Sequence, residues 1–533
     1  MLLATNNSNQ PPPLVDYNPF DADRPLVEGL RREGAAASEA RTRELGALAG
    51  SAEWIERGFE ANAHPPVLRT HDRYGERLDE VVFHPSWHAL MRVATSFGLH
   101  AAPWRAPGEG AHVARAAQFY LWSQVEAGHG CPISMTHAAI PALRKAPGLA
   151  AVWEPKLLAL DYEPRLAPID RKASALCGMA MTERQGGSDV RANTTRAEPA
   201  GDGSYAIVGH KWFCSAPMSD AFLVLAQAPG GLSCFLLPRM LADGAKNAIA
   251  IERLKDKLGN RSNASSEVRF DGALAHPVGE EGRGVVTIIE MVNHTRLDCI
   301  IGSAALMRAA LAQAVHHARY RSAFGAALLE QPLMQNVLAD LALESEAATA
   351  FMLRIARACD RAERDPHEAH VKRLGTALGK YWICKRASAV VGEALEVLGG
   401  NGYVEESVMP RLFRESPLNS IWEGAGNVNA LDVLRALGRA PQLVDAYLRE
   451  AENPKEIAQR LRGEIPERDA RSVVEGMILA WQAALLRANA PAEVAESFVA
   501  SRLEGKWGRT FGTLGGKTPF GAILERALPT GIS

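Results

Sequence analysis

Residues 201–237 read GDGSYAIVGHKWFCSAPMSDAFLVLAQAPGGLSCFLL. Within them Tyr205-Ala-Ile-Val208, Phe222-Leu-Val-Leu-Ala226 and Ser233-Cys-Phe-Leu-Leu237 are short apolar runs, punctuated by turns such as Gly201-Asp-Gly203. That is the pattern of β-strands joined by tight connections. Ile249-Ala-Ile251 and Glu267-Val-Arg-Phe270 continue it, so the reading is an antiparallel β domain over 174–284. On either side the period changes. Upstream, stretches such as Trp87-His-Ala-Leu-Met-Arg-Val93 and Ala114-Arg-Ala-Ala-Gln-Phe-Tyr-Leu121 carry apolar residues at helical spacing. Downstream, helices are predicted over Val285–Arg319, Gln331–Arg361 and His367–Gly399, and Ile421–Leu437 reads as a loop entering one more. Helices, then strands, then helices give an α+β chain. The division predicted is an extended Asn- and Pro-rich arm (1–25), disordered or wrapped on a partner subunit, then a helical domain (26–173) and the β domain (174–284). A helical bundle (285–438) and an additional C-terminal helical domain (439–533), with a Gly-rich tail over Gly505–Gly521, complete it.

The composition narrows the function classes. Of 533 residues, 47% are apolar and 23% charged, the balance of a soluble globular protein. Net charge is −2, so nucleic acid would need a local basic patch. Seven cysteines stand singly without CxxC or Cys/His spacing, which points to no metal site, no disulfide framework and a reducing cytoplasm. The N-terminus lacks a basic and then apolar leader, and no run of about 18 apolar residues predicts a membrane span.

Five strings are suited to chemistry. Met181-Thr-Glu-Arg-Gln-Gly-Gly-Ser-Asp-Val190 sets Thr182 and Ser188 around a double glycine, either a nest for a flavin carbonyl or pyrophosphate or a solvated turn. Gly209-His-Lys-Trp-Phe-Cys-Ser215 offers aromatics beside a serine, either a wall for a planar ring or ordinary core. Arg321-Ser-Ala-Phe-Gly325 ends a helix, where an Arg either clamps phosphate or complements the helix dipole. Val397-Leu-Gly-Gly-Asn-Gly-Tyr403 fits a glycine C-cap equally well. Ile421-Trp-Glu-Gly-Ala-Gly-Asn427 places one carboxylate, Glu423, before a small-residue loop that permits close approach; a buried carboxylate there suits a general base.

In this order and at these separations the five strings, with Lys257-Leu-Gly-Asn-Arg-Ser262, resemble the acyl-CoA dehydrogenase family. The strings at 181–190, 254–265 and 419–427 are similar to its AidB-like, alkylation-response branch. The resemblance implies FAD as cofactor. Thr182 and Ser188 would bond the flavin or its phosphates, with the backbone from Met179 to Asp189, Met181 and Gly187 included, assisting; Phe213 and Ser215 would cover the ring, and Cys214 would also touch the cofactor. Arg321, Phe324, Glu396, Gly399 and Gly400 would touch FAD of a neighbouring subunit, implying a homotetramer; Ile421, Trp422, Gly424 and Asn427 would complete the site. Glu423 would abstract the α-proton of a short or branched acyl-CoA while the β-hydride passes to flavin.

The branch also implies double-stranded DNA binding through the C-terminal segment, where Arg502, Lys506, Arg509 and Lys517 gather near Trp507 and Phe511; a solvated helix face accounts for that cluster as well. The alternatives are a catabolic acyl-CoA dehydrogenase or an oxidase with no DNA role, and an oxidase would release hydrogen peroxide in air.

Overall fold

The apolar runs form strands. In the computed structural model, which describes residues 9–529, the strands are β1 (Val67–His71), β2 (Arg77–Val82), β3 (Cys177–Ala180), β4 (Arg196–Pro199), β5 (Tyr205–Ser215), β6 (Ala221–Ala228), β7 (Gly231–Pro238), β8 (Ile249–Leu254) and β9 (Ser265–Val278). β6 pairs with β7, β7 with β9, β9 with β5, β5 with β4, and β4 returns to β6, so the sheet closes on itself; β8 adds to β9 and β3 to β6. Closure leaves few open edges and encloses a core in which Ile207, Val224, Phe235 and Phe270 are buried. The β domain is not purely antiparallel. β3 and β4 both run parallel to β6, because β3 is followed by β4 and β5 before the chain returns to pair with it.

The chain divides into two units. One contains Glu56–Ala111 and Glu126–Asp298, hence the barrel; the other contains Met1–Ile55, His112–Val125 and Cys299–Ser533. The expected boundaries shift accordingly. The hairpin β1–β2 lies inside the segment read as helical, and its Leu68 and Val81 pack on the barrel core. Its turn is tied by Asp72, whose carboxylate accepts from the amides of Tyr74 and Glu76 at 2.7 and 2.9 Å.

In the other unit the three long helices stand almost where predicted: Gly284–Tyr320, which starts in the barrel unit, then Pro332–Arg361 and Pro366–Val397. Prolines sit in the first turn of the last two, and Asp365 caps the third by accepting from the amide of His367 at 2.8 Å. Length and composition alone would let Gly284–Tyr320 cross a bilayer. Its most apolar 18-residue window has mean hydropathy 1.3 and is 89% buried in the protein, so the hydropathy is that of a core helix.

Two further corrections concern the ends. Residues 1–8 and 530–533 lie outside the described residues, but 9–25 is no free arm: Leu14, Phe20 and Ala22 are buried within the chain's own unit. The segment after 438 is no separate domain. Its helices Gln442–Glu450, Lys455–Leu461, Ala470–Asn489, Ala492–Arg502 and Phe520–Ala527 belong to the same unit as the bundle, and the last follows the Gly-rich stretch read as a closing tail. Arg526 is held by Glu346 and Glu28, and Asn336 exchanges two hydrogen bonds with the backbone of Leu514.

Candidate functional site

Within the barrel unit, β3 runs into the 181–190 turn and β5 lies beside it, the amide of Trp212 donating to the carbonyl of Thr182 at 2.8 Å. A register shift in β5 between Lys211 and Cys214 interrupts the alternation of its side chains. Phe213 is thereby 48% exposed, and Trp212 is half-buried under the Lys255 ammonium, 3.2 Å from the ring centroid. Lys255 also stands 4.7 Å from the Phe213 ring. Ser215 is half-buried and shares a 3.2 Å hydrogen bond with Ser265. Cys214 departs from expectation. Its side chain packs into the barrel core, where burial pushes the thiol up to about 12, so any cofactor contact falls to its backbone.

Met179, Met181 and Thr182 are half-buried, and Gly187 and Ser188 are exposed. A Cβ on Gly187 would lie 2.9 Å from Thr182 Oγ1, so only glycine keeps the space beside that hydroxyl open. Hydroxyls, an open turn backbone, an exposed aromatic ring and a nearby ammonium are the donors and surfaces that a flavin and its phosphates take.

What holds this turn is a pair that the sequence reading passed over. Glu183 and Lys211 are fully buried and lie 2.8 Å apart. The carboxylate also accepts from Gln185, from the amide and hydroxyl of Thr194 and from the amide of Thr195, while Lys211 donates to the Leu225 carbonyl as well. Burial opposes ionisation of Glu183, but the Lys211 charge and these hydrogen bonds outweigh it and hold the carboxyl well below its usual range. Burial brings Lys211 down to about 8 against the pull of Glu183. The signal in the sequence was a Glu and a Lys, each in an otherwise apolar or turn context; nothing local said that they meet across 28 positions.

The remaining predicted residues belong to the other unit. Arg321, half-buried, begins a small hairpin (Ser322–Ala323 with Ala326–Ala327) whose tip bears the fully exposed Phe324. Glu396, Gly399 and Gly400 are exposed at the end of Pro366–Val397. Residues of the supposed arm bridge these turns: Arg321 Nη1 donates to the Asn9 carbonyl at 2.6 Å, the Ser322 amide to Asn9 Oδ1 at 2.9 Å, and Asn401 Nδ2 to Gln10 Oε1 at 2.7 Å.

Ile421–Ala425 forms a loop ahead of the helix Gly426–Arg439, whose first turn carries Asn427. Ile421 is exposed, and Trp422, half-buried, donates to Asn419 at 2.9 Å. Glu423 has φ 57° and Gly424 φ 99°, two consecutive residues in left-handed conformation, and Glu423 Oε2 is buried. The turn is clamped from behind. Buried Lys380 donates to the Gly424 carbonyl at 3.0 Å, buried Asn429 donates to the same oxygen, and Asn427 accepts from Arg471 at 2.8 Å.

The C-terminal basic cluster is partly undone. Arg502 has 1% side-chain exposure and lies 2.5 Å from Asp340 and 3.0 Å from Glu344, with its guanidinium over Trp507 at 4.3 Å. It is a core ion-pair residue and is withdrawn as a phosphate contact. Burial pushes Asp340 up; for Glu344 burial is outweighed by Arg386 and Arg502, which bring it down. Lys506, paired with Glu504 at 2.7 Å, Arg509 and Lys517 are exposed.

Family models match over most of the chain: the adaptive response protein AidB N-terminal domain over 9–164, the acyl-CoA dehydrogenase middle domain over 178–273 and the acyl-CoA dehydrogenase C-terminal domain over 282–438. AidB of Escherichia coli (strain K12) is 51% identical over 439 residues, 82% of this chain and 81% of its own. Among solved structures, ACDH-11 of Caenorhabditis elegans in complex with C11-CoA superposes with TM-score 0.85 at 26% identity, covering 94% of this chain and 93% of that one. The apo form of Bd2924 gives 0.82 at 31%, covering 90% and 99%.

Proposed function

Because this chain belongs to the acyl-CoA dehydrogenase family, whose members are FAD-dependent oxidoreductases acting on CH–CH bonds, we propose that it desaturates a short or branched acyl-CoA with Glu423 as base. The observation that carries the reading is the Glu423 turn: a carboxylate with one oxygen buried, on strained backbone held by two buried donors. Strain of that kind persists where the surroundings over-determine it, and it concentrates at functional sites. Glu423 takes the α-proton, and the β-hydrogen leaves with its electron pair, so the product is the 2-enoyl thioester. Bound FAD supplies the two-electron acceptor. Thr182, Ser188, Phe213 and Ser215 are the residues of the barrel unit that would hold it, with the backbone of Met179, Met181 and Gly187. Arg321, Phe324, Glu396, Gly399 and Gly400 would serve a second copy in a homotetramer, and Ile421, Trp422, Gly424 and Asn427 would line the base loop. An acyl-CoA ligand is supported by the relative bound to C11-CoA. None of the seven cysteines forms a disulfide, which supports a reducing, cytoplasmic setting.

Anaerobic titration of the yellow protein with isovaleryl-CoA and straight-chain acyl-CoAs tests this. The flavin band bleaches in the parent; Glu423→Gln keeps its FAD and stays oxidised. Bleaching of that variant at the parental rate would remove Glu423 from the role.

A second reading, association with double-stranded DNA in a response to alkylation, is favoured by exposed Lys506, Arg509 and Lys517 on a chain similar to AidB. If each neutralises one phosphate, replacing all three by Ala lowers the salt slope of binding by roughly 0.9 per residue. Unchanged affinity in the triple variant would leave a catabolic dehydrogenase without a DNA role; rapid peroxide release in air would mark an oxidase.

A further inference from the structure

Lys380 lies in the middle of the helix Pro366–Val397 and is 1% exposed, one of the largest side chains fully buried in the protein. Its helix approaches closely the neighbouring elements: a Cβ on Gly379, one position before, would come within 2.7 Å of Phe351 and 2.8 Å of Ile300. Packing of that kind leaves the lysine stem little choice of direction. Its ammonium ends 3.0 Å from the Gly424 carbonyl, and among the described residues no carboxylate pairs with it. The Lys385 ammonium is close enough to be repelled by it, and Lys385 in turn feels Arg471, so the charge on this side is positive. A buried cation with one neutral acceptor is a poor way to gain stability, because an apolar side chain of the same volume is as good or better.

What the ammonium does hold is the turn. Glu423 at φ 57° and Gly424 at φ 99° form a left-handed pair that a glutamate does not adopt unaided. The Gly424 carbonyl is the group whose orientation follows from those angles, and it receives both Lys380 and Asn429. We infer that Lys380 is a positioning residue for Glu423, acting through the Gly424 carbonyl to hold the base loop in its left-handed conformation. This rests on Glu423 being the base. Loss of the clamp moves the carboxylate by a fraction of its reach, and a misplacement of about 1 Å costs on the order of a hundredfold in rate.

The test compares Lys380→Met, Lys380→Gln and Glu423→Gln in the full-length flavoprotein. Lys380→Met is expected to retain FAD and its melting temperature, to slow anaerobic flavin reduction by isovaleryl-CoA about tenfold to a hundredfold at saturating substrate with little change in the half-saturating concentration, and to speed amide exchange in the 419–427 peptide about tenfold. The exchange measurement is repeated on protein stripped of flavin, where turnover plays no part. Lys380→Gln retains a neutral donor and is expected to recover part of both effects; it carries the test if Lys380→Met does not fold. Parental reduction and parental exchange in both lysine variants overturn the inference. An inactive Glu423→Gln beside fully active lysine variants overturns the positioning role alone, whereas a fully active Glu423→Gln overturns the base, leaving the exchange data to decide whether Lys380 holds the loop.

Discussion

Replacing Glu183 by Gln keeps the shape of the side chain and removes its charge. Five donors converge on the carboxylate: Lys211 Nζ at 2.8 Å, Gln185 Nε2 at 2.6 Å, the Thr194 amide and hydroxyl at 2.7 and 2.9 Å, and the Thr195 amide at 3.2 Å. A glutamine has one oxygen for them and turns an NH2 group toward the rest. Lys211 is left fully buried with the Leu225 carbonyl at 2.8 Å and the Met181 carbonyl at 3.4 Å. Breaking a buried pair from one side destabilises by about 3–5 kcal/mol, because the surviving charge is uncompensated. At about 2–4 °C per kcal/mol for a unit of some 150–250 residues, the melting temperature falls by roughly 6–20 °C. The loss is concentrated where the 181–195 segment meets β5 and β6, so FAD retention falls with it. Circular dichroism melts and the flavin-to-protein absorbance ratio of the purified variant measure both. The double variant Glu183→Gln/Lys211→Met keeps an acceptor for the Thr194 and Thr195 amides and buries no lone cation; at least half of the lost stability returns. A single variant that melts within about 2 °C of the parent, or a double variant no better than the single, refutes the reasoning.

Arg502→Ala leaves Asp340 and Glu344 buried with less compensation and lowers stability by about 3–5 kcal/mol, read as a shift in the urea midpoint at unchanged slope. The same variant, while folded, leaves DNA affinity and its salt slope at the parental values, in contrast to substitutions at Lys506, Arg509 and Lys517. His112 gives an acid-sensitive term: burial first, then Arg115 and Lys372, bring its pKa down to about 3. The unfolded chain, titrating near 6.5, takes the proton first, so stability falls as the pH drops from about 6.5 toward 3, by at most about 1.4 kcal/mol per pH unit. His112→Gln flattens that stretch of the stability–pH curve; an unchanged slope in the variant shows that His112 is not its source.

Much of the architecture was legible in the residues because it follows from local periodicity. The three long helices start within a residue or two of their predicted positions; prolines mark the first turns of the second and third, and an Asp caps the third. Five strands of the barrel were readable from apolar runs, and Glu423 stood out as one carboxylate in a loop of small residues. The hairpin β1–β2 escaped because its strands alternate with charged residues, and its apolar faces have meaning only against the barrel core. β3 and β4 escaped because four residues carry no period.

Relations across distance belonged to the tertiary structure. A basic cluster at 502–517 is a surface patch or a core network according to what it packs on, and Asp340 and Glu344, more than 150 positions away, settled Arg502 as core. The alternation of β5 put no limit on Cys214 until its register with β9 placed the thiol inside the barrel. Glu183 with Lys211, and Lys380 with the Gly424 carbonyl, share one cause. A buried charge is stabilised only by the partner that folding brings to it, and residue order encodes that partner's chemistry but not its distance.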